Sequence, residues 1–171
     1  SAFSKLEKEL LVETIPRRGS YVRKYTSDEL VHIYEIRVRL EPLGAEQAVR
    51  NGTDQEIQEL VDHCIRFKEL ANVDPESGNL KEEDYFFHMR IMRMSSNELL
   101  YNIISSYNII VVANFYGFFK DPRQSAAEHE TIVERIRARD PEGANQAMLD
   151  HLSSSYSHLQ RHLEEIKARI D

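Results

Sequence analysis

Helix punctuation constrains this chain more than any other feature of its sequence. Thr26-Ser27-Asp28-Glu29 and Thr53-Asp54-Gln55-Glu56 both place a hydroxyl residue three positions before a glutamate, the pattern of a capping box. Asn51-Gly52 separates the two, Asp121-Pro122 breaks a later apolar run, and Asp140-Pro141 supplies an N-cap followed by a proline at the first helical position. Between these marks the apolar residues recur at three and four, the period of a helix with one buried face. The first helix runs from the first box through Leu30, Ile33, Tyr34, Ile36, Leu40 and Ala45, with a kink expected at Pro42. A second passes through Ile57, Leu60, Val61, Ile65 and Leu70. A third covers about Leu80 to Met94, a fourth about Glu98 to Phe119, a fifth Ser125 to about Arg139, and a long sixth follows Pro141. The fourth is apolar on most faces, through Leu99, Leu100, Ile103, Ile104, Ile109, Ile110, Val111, Val112 and Phe115, which predicts a central helix surrounded by the others. Short connections make an all-α antiparallel bundle of six or seven helices.

The first 25 residues read differently. Phe3 to Leu11 has helical spacing but no N-terminal signal, so the chain is expected to start inside a module. Leu11 to Ile15 and Ser20 to Lys24 are short extended runs around Pro16-Arg17-Arg18-Gly19, a hairpin signal. Ser1 to Lys24 carries six Lys/Arg against three Asp/Glu; with the whole chain at −7, the remainder stands at −10. A basic head thus precedes an acidic body, and the body is not expected to bind nucleic acid broadly. With 171 residues there is room for one full domain plus an appendage, divided as 1–25 and 26–171. No apolar run approaches the roughly 18 to 20 residues of a membrane span, and no signal pattern opens the chain, so a cytoplasmic protein without membrane contact is expected. Cys64 is the single cysteine, which excludes an internal disulfide and a multi-thiolate zinc site.

Four residues carry the chemistry. Asp84 and His88 lie one helical turn apart, on a stripe that Ile91 and Met92 continue, so both are expected to face inward. His129 precedes Ile132, Val133 and Ile136 at offsets of three, four and seven. His151 aligns with Ala144, Ala147 and Met148 behind it and with Ser155 and Leu159 ahead. Each histidine alone reads as a hydrogen-bonded core residue. Three imidazoles and a carboxylate on inward faces of three helices are costly to bury separately, whereas one divalent cation satisfies all four. His158 and His162 share a face with His151 but lie roughly 10 and 16 Å along the axis at about 1.5 Å per residue, too far to join it. His32 and His63 have polar neighbours and are expected at the surface, as is the Glu134 to Asp140 stretch.

Several segments resemble the FadR-type ligand-binding (FCD) domain of the GntR superfamily of bacterial transcription regulators. Tyr34-Glu35-Ile36-Arg37-Val38-Arg39-Leu40-Glu41 is similar to that family's first-helix signature. Asp84-Tyr85-Phe86-Phe87-His88 with Ser96-Asn97, Glu128-His129, and Ala147 to His151 are similar to its later motifs. Leu10 to Val22 looks like the end of a recognition helix and the wing of a winged helix-turn-helix domain, with Arg17, Arg18 and Gly19 at the wing tip, where charge would meet phosphates or the minor groove of operator DNA. This piece is not expected to bind a specific operator by itself.

The resemblance implies a homodimeric repressor or activator whose metal-centred cavity binds a small carboxylic acid and so alters operator affinity. It also implies Asp84, His88, His129 and His151 as the metal ligands. One carboxylate and three neutral imidazoles leave open positions on a six-coordinate ion; zinc is the first choice, with nickel, manganese or iron possible. Arg37 would pair with the acid's carboxylate, and Asn97 would hydrogen-bond a hydroxyl or bound water. Two other readings compete. One is a metal-dependent hydrolase, which would need a general base; Glu83 and Glu128 adjoin ligands but are expected to point elsewhere. The other is a purely structural ion with no effector beside it.

Overall fold

In the computed structural model, residues 7, 12–106, 109–110 and 120–170 are described. The short helix expected over Phe3 to Leu11 lies outside them except for Glu7, as do Val111, Val112 and the end of the expected fourth helix to Phe119.

A two-stranded antiparallel hairpin opens the described chain, β1 (Val12–Ile15) paired with β2 (Gly19–Val22). Its turn places Arg17 at φ 66° and Gly19 at φ 105°. Glycine tolerates that second angle without the strain a Cβ would bring. Arg18 N donates to Ile15 O, and the Tyr21 hydroxyl donates to Arg18 O, fixing the tip from both sides.

Among the described residues six helices follow: α1 (Ser27–Asn51), α2 (Asp54–Val73), α3 (Gly78–Met94), α4 (Glu98–Ser106), α5 (Pro122–Arg137) and α6 (Pro141–Ile170). Both capping boxes form: the Thr26 and Thr53 side chains accept from Glu29 N and Glu56 N, while each glutamate returns to the threonine N–H. α3 begins earlier than its apolar stripe suggests, because the Ser77 side chain caps it by accepting from Leu80 N. α5 begins at Pro122 rather than Ser125: Asp121 accepts from Arg123 N and Pro122 fills the first turn, the same device as Asp140-Pro141. Asp121-Pro122 is therefore a helix start as much as a helix end. α1 continues through Pro42 to Asn51 without interruption.

α1 packs chiefly along α6, and also on α3; α2 packs on α5 and α3, and α5 on α6. The small residues Ala45, Ala48 and Ala144 are fully buried, which lets helix backbones approach closely. One large core gathers residues of all six helices, and a smaller cluster of Phe67, Ala71, Leu80 and Ala126 closes beside it. Arg139, at φ 55° after α5, donates to Val49 O and Gly52 O and reaches Asp54, tying the α1–α2 corner to the α5–α6 corner. The Glu134 to Asp140 stretch is thus not only a solvated face.

The central position expected for the fourth helix does not hold over α4. Leu100 and Ile104 are buried, but Leu99 and Ile103 are 76% and 45% exposed. α4 covers the bundle with one stripe and leaves another apolar stripe uncovered. Among the described residues no helix is long and apolar enough to cross a membrane.

Loss of a threonine cap costs about 1 kcal/mol, and for a chain of this size about 2–4 °C of melting temperature per kcal/mol. Thr53→Ala is therefore expected to lower the Tm by about 2–4 °C, measured by thermal denaturation, with the helical content of the folded state unchanged.

Candidate metal and effector site

The three inward histidines meet. α3 contributes His88, α5 His129 and α6 His151; His88 and His129 are fully buried and His151 nearly so. One nitrogen from each lies within 4.8 Å of the other two. Asp84, one turn before His88 and also buried, places Oδ1 3.9 Å from His88 Nε2 and 3.6 Å from His129 Nε2. Neighbouring donors on one ion with bonds of about 2.1 Å stand roughly 3 to 3.4 Å apart, so small side-chain shifts would close this set around a cation. Both nitrogens of His88 and both of His129 are buried without a hydrogen bond. Such orphaned groups are expensive in a protein interior unless something polar completes them, and a divalent ion fits the donors present.

Their protonation state suits that role. Burial, reinforced by His151, His88, Lys120 and Arg37, pushes His129 well below the ordinary imidazole value of 6.5. Burial, then Lys120, His88 and Arg37, does the same to His151. Neutral rings keep a lone pair for a metal. His129 is further fixed by stacking on Phe87, with centroids 4.0 Å apart and planes 15° apart, and by Phe67 at 4.7 Å.

Arg37 is 2% exposed, which excludes an exposed surface ion pair. Its Nε donates to Glu41 Oε1 at 2.6 Å, and its guanidinium lies over the Tyr34 ring at 5.4 Å. Burial by itself would raise the Glu41 pKa, but Arg37 and His88 overcome it and hold this carboxyl at about 2. Arg37 is also among the charges that lower His129 and His151, the last in order for each. Asn97 is occupied locally: Oδ1 accepts from Leu100 N to start α4, and Nδ2 donates to Gln47 Oε1. The described structure gives it no contact with the histidine cluster. Arg17, Arg18 and Gly19 sit at the exposed hairpin tip. His32 is exposed, whereas His63 is half-buried and paired with Glu83 at 2.7 Å, which differs from the surface position expected for it.

Three residues at the site escaped the sequence reasoning. Glu41 could have been found, since it stands four residues after Arg37 on one helix face. Glu128 precedes His129 and was expected to point away, yet its Oε2 lies 2.7 Å from His151 Nδ1, across the α5–α6 interface. A contact between helices leaves no periodic trace. Lys120, between Phe119 and the Asp121-Pro122 break, carries no helical pattern that would turn it inward; in fact it is buried, donates to His151 O at 3.0 Å and pairs with Glu128.

The fold and this buried cluster define a helical domain with a candidate metal centre. Residues 32–154 match the FCD domain family, and the chain belongs to it. The HTH-type transcriptional regulator YdhC of Bacillus subtilis (strain 168) is 26% identical over 168 residues, covering 95% of this chain and 74% of YdhC. E. coli McbR/YncC has the same fold, with a TM-score of 0.81 at 17% identity over 94% of this chain and 82% of that one. The metal-free FCD domain of TM0439 aligns with a TM-score of 0.66 at 19% identity, over 84% of this chain and 99% of that domain. The relatives found by sequence are named as transcriptional regulators or repressors, most of them HTH-type, not as enzymes, and this chain is a transcription regulator with an FCD domain.

Because the unfolded chain binds protons near pH 6.5 while folded His129 and His151 resist them, stability falls as pH drops below about 6.5 toward their lowered folded values. Thermal melts of metal-stripped protein are expected to show a Tm several degrees lower at pH 5.5 than at pH 7.5. A Tm that rises on acidification would contradict the burial of neutral imidazoles.

Proposed function

We propose that residues 26–171 sense a small carboxylic acid through a divalent ion held by Asp84, His88, His129 and His151. Residues 1–25 are then the end of a winged helix-turn-helix domain, with Arg17, Arg18 and Gly19 at the tip of its wing on operator DNA. The regulator acts as a cytoplasmic homodimer. The observation that carries the reading is the pair of buried, unpartnered nitrogens on His129, together with Nε2 of His88, beside His151 and Asp84. That FCD domains can bind metal supports it.

A bound ion would supply Lewis-acidic positions for an anionic oxygen ligand; zinc fits this donor set, as do nickel, manganese and iron. Arg37 holds a fixed positive charge beside those positions, ready for a carboxylate, and the surrounding core excludes water that would compete for it. Asn97 would reach such a ligand only by giving up its cap on α4. Because α3, α5 and α6 each supply a ligand, an acid that prefers one arrangement of these helices biases the bundle and the attached DNA-binding heads. A hydrolytic reading lacks its base: Glu128 is engaged by His151 and Lys120, and Glu83 by His63 and Arg66.

An ion at about 100 times its Kd stabilises the folded state by about 2.7 kcal/mol, equivalent to about 5–10 °C here at about 2–4 °C per kcal/mol. Zinc added to metal-stripped protein is expected to raise the Tm by that amount at one equivalent by elemental analysis. Lactate or citrate should raise it further only in the zinc-loaded form, and His129→Ala should abolish both effects. An acid that stabilises stripped and loaded protein equally would leave the ion a structural role alone, and absence of any zinc effect would overturn the site.

A further inference from the structure

Two cation–carboxylate–imidazole chains flank the histidine cluster. In the first, Arg37 donates to Glu41 Oε1, and Glu41 Oε2 lies 2.6 Å from His88 Nδ1, displaced from the line a hydrogen bond would take. In the second, Lys120 pairs with Glu128, and Glu128 Oε2 lies 2.7 Å from His151 Nδ1. Both carboxylates face Nδ1, and for His88 the opposite nitrogen, Nε2, is the one that approaches Asp84. His129 has no such chain among the described contacts; aromatic rings hold it instead.

A neutral imidazole carries one proton, and the nitrogen that binds a metal must be the other one. A carboxylate at Nδ1 selects the tautomer protonated there, fixes the ring's rotation, and makes Nε2 a better donor. Glu41 is completely buried and Glu128 largely so. Each is kept in place by a buried cation, Glu41 by Arg37 one turn earlier on α1 and Glu128 by Lys120 from the segment before α5.

We propose that Glu41 and Glu128 are positioning residues for the metal ligands, orienting His88 and His151 so that Nε2 of each faces the ion, with Arg37 and Lys120 holding the two carboxylates. This rests on the metal-binding reading above. It makes the affinity of the site depend on four residues that never touch the ion, two of them cations that look repulsive toward it.

Cobalt(II) titrated into metal-stripped protein tests it, because visible absorption reports the ligand field as well as the Kd. Glu128→Gln and Glu41→Gln are each expected to weaken cobalt binding about 10- to 100-fold and to alter the absorption spectrum, with Glu128→Asp recovering part of the loss. Thr53→Ala, destabilising but remote, should change neither. Glu128 is at the edge of the core, so its variants keep the test decisive if Glu41→Gln fails to fold. Wild-type affinity and spectrum in Glu128→Gln would overturn the positioning role while leaving the metal site standing. Failure of the wild-type protein to bind cobalt would remove both.

Discussion

Burying an imidazole without a partner is costly, and this bundle does so repeatedly at one point. His129 brings both ring nitrogens into the core with no hydrogen bond, His88 has only the offset approach of Glu41 Oε2 to its Nδ1, and His151 stands beside them with its Nδ1 facing Glu128 and Lys120. A core built for stability alone would place leucine or phenylalanine there. The positions of α3, α5 and α6 relative to one another follow from this convergence as much as from the apolar stripes that surround it. The remaining architecture, α1 running along α6 and α2 packing on α5 and α3, encloses the cluster and keeps water from it.

Charge is arranged with equal care around the cluster. Arg37 and Lys120 would repel a cation, yet each is matched to a carboxylate that faces a histidine. The pairs therefore present the imidazoles with acceptors while leaving positive charge nearby for an anion. That combination is what the proposed site, a metal with an acid beside it, would need.

Much of this was legible in the sequence, for identifiable reasons. Capping boxes at Thr26 and Thr53 act within four residues, so they could be read directly, and the inward faces of Asp84, His88, His129 and His151 follow from helical periodicity. The start of α5 at Pro122 was legible too, but the proline's role as a helix breaker masked its role at the first turn. What could not be read is contact between elements: Glu128 reaching His151, Lys120 folding inward, Arg139 joining two corners. Asn97 illustrates the converse, since a polar side chain next to a helix start can cap that helix and so be used up before any ligand arrives. The hydrophobic sequence of α4 overstated its burial because a helix at the edge of a bundle buries one stripe, and much of any folded surface is itself apolar.

The most direct test of the central claim is anomalous X-ray diffraction from crystals of the zinc-loaded protein, collected at the zinc edge. The account predicts a single strong peak per chain within about 2.0–2.2 Å of Nε2 of His88, His129 and His151 and of an oxygen of Asp84. A peak bound instead to surface carboxylates, with the three imidazoles left as they are, would contradict it.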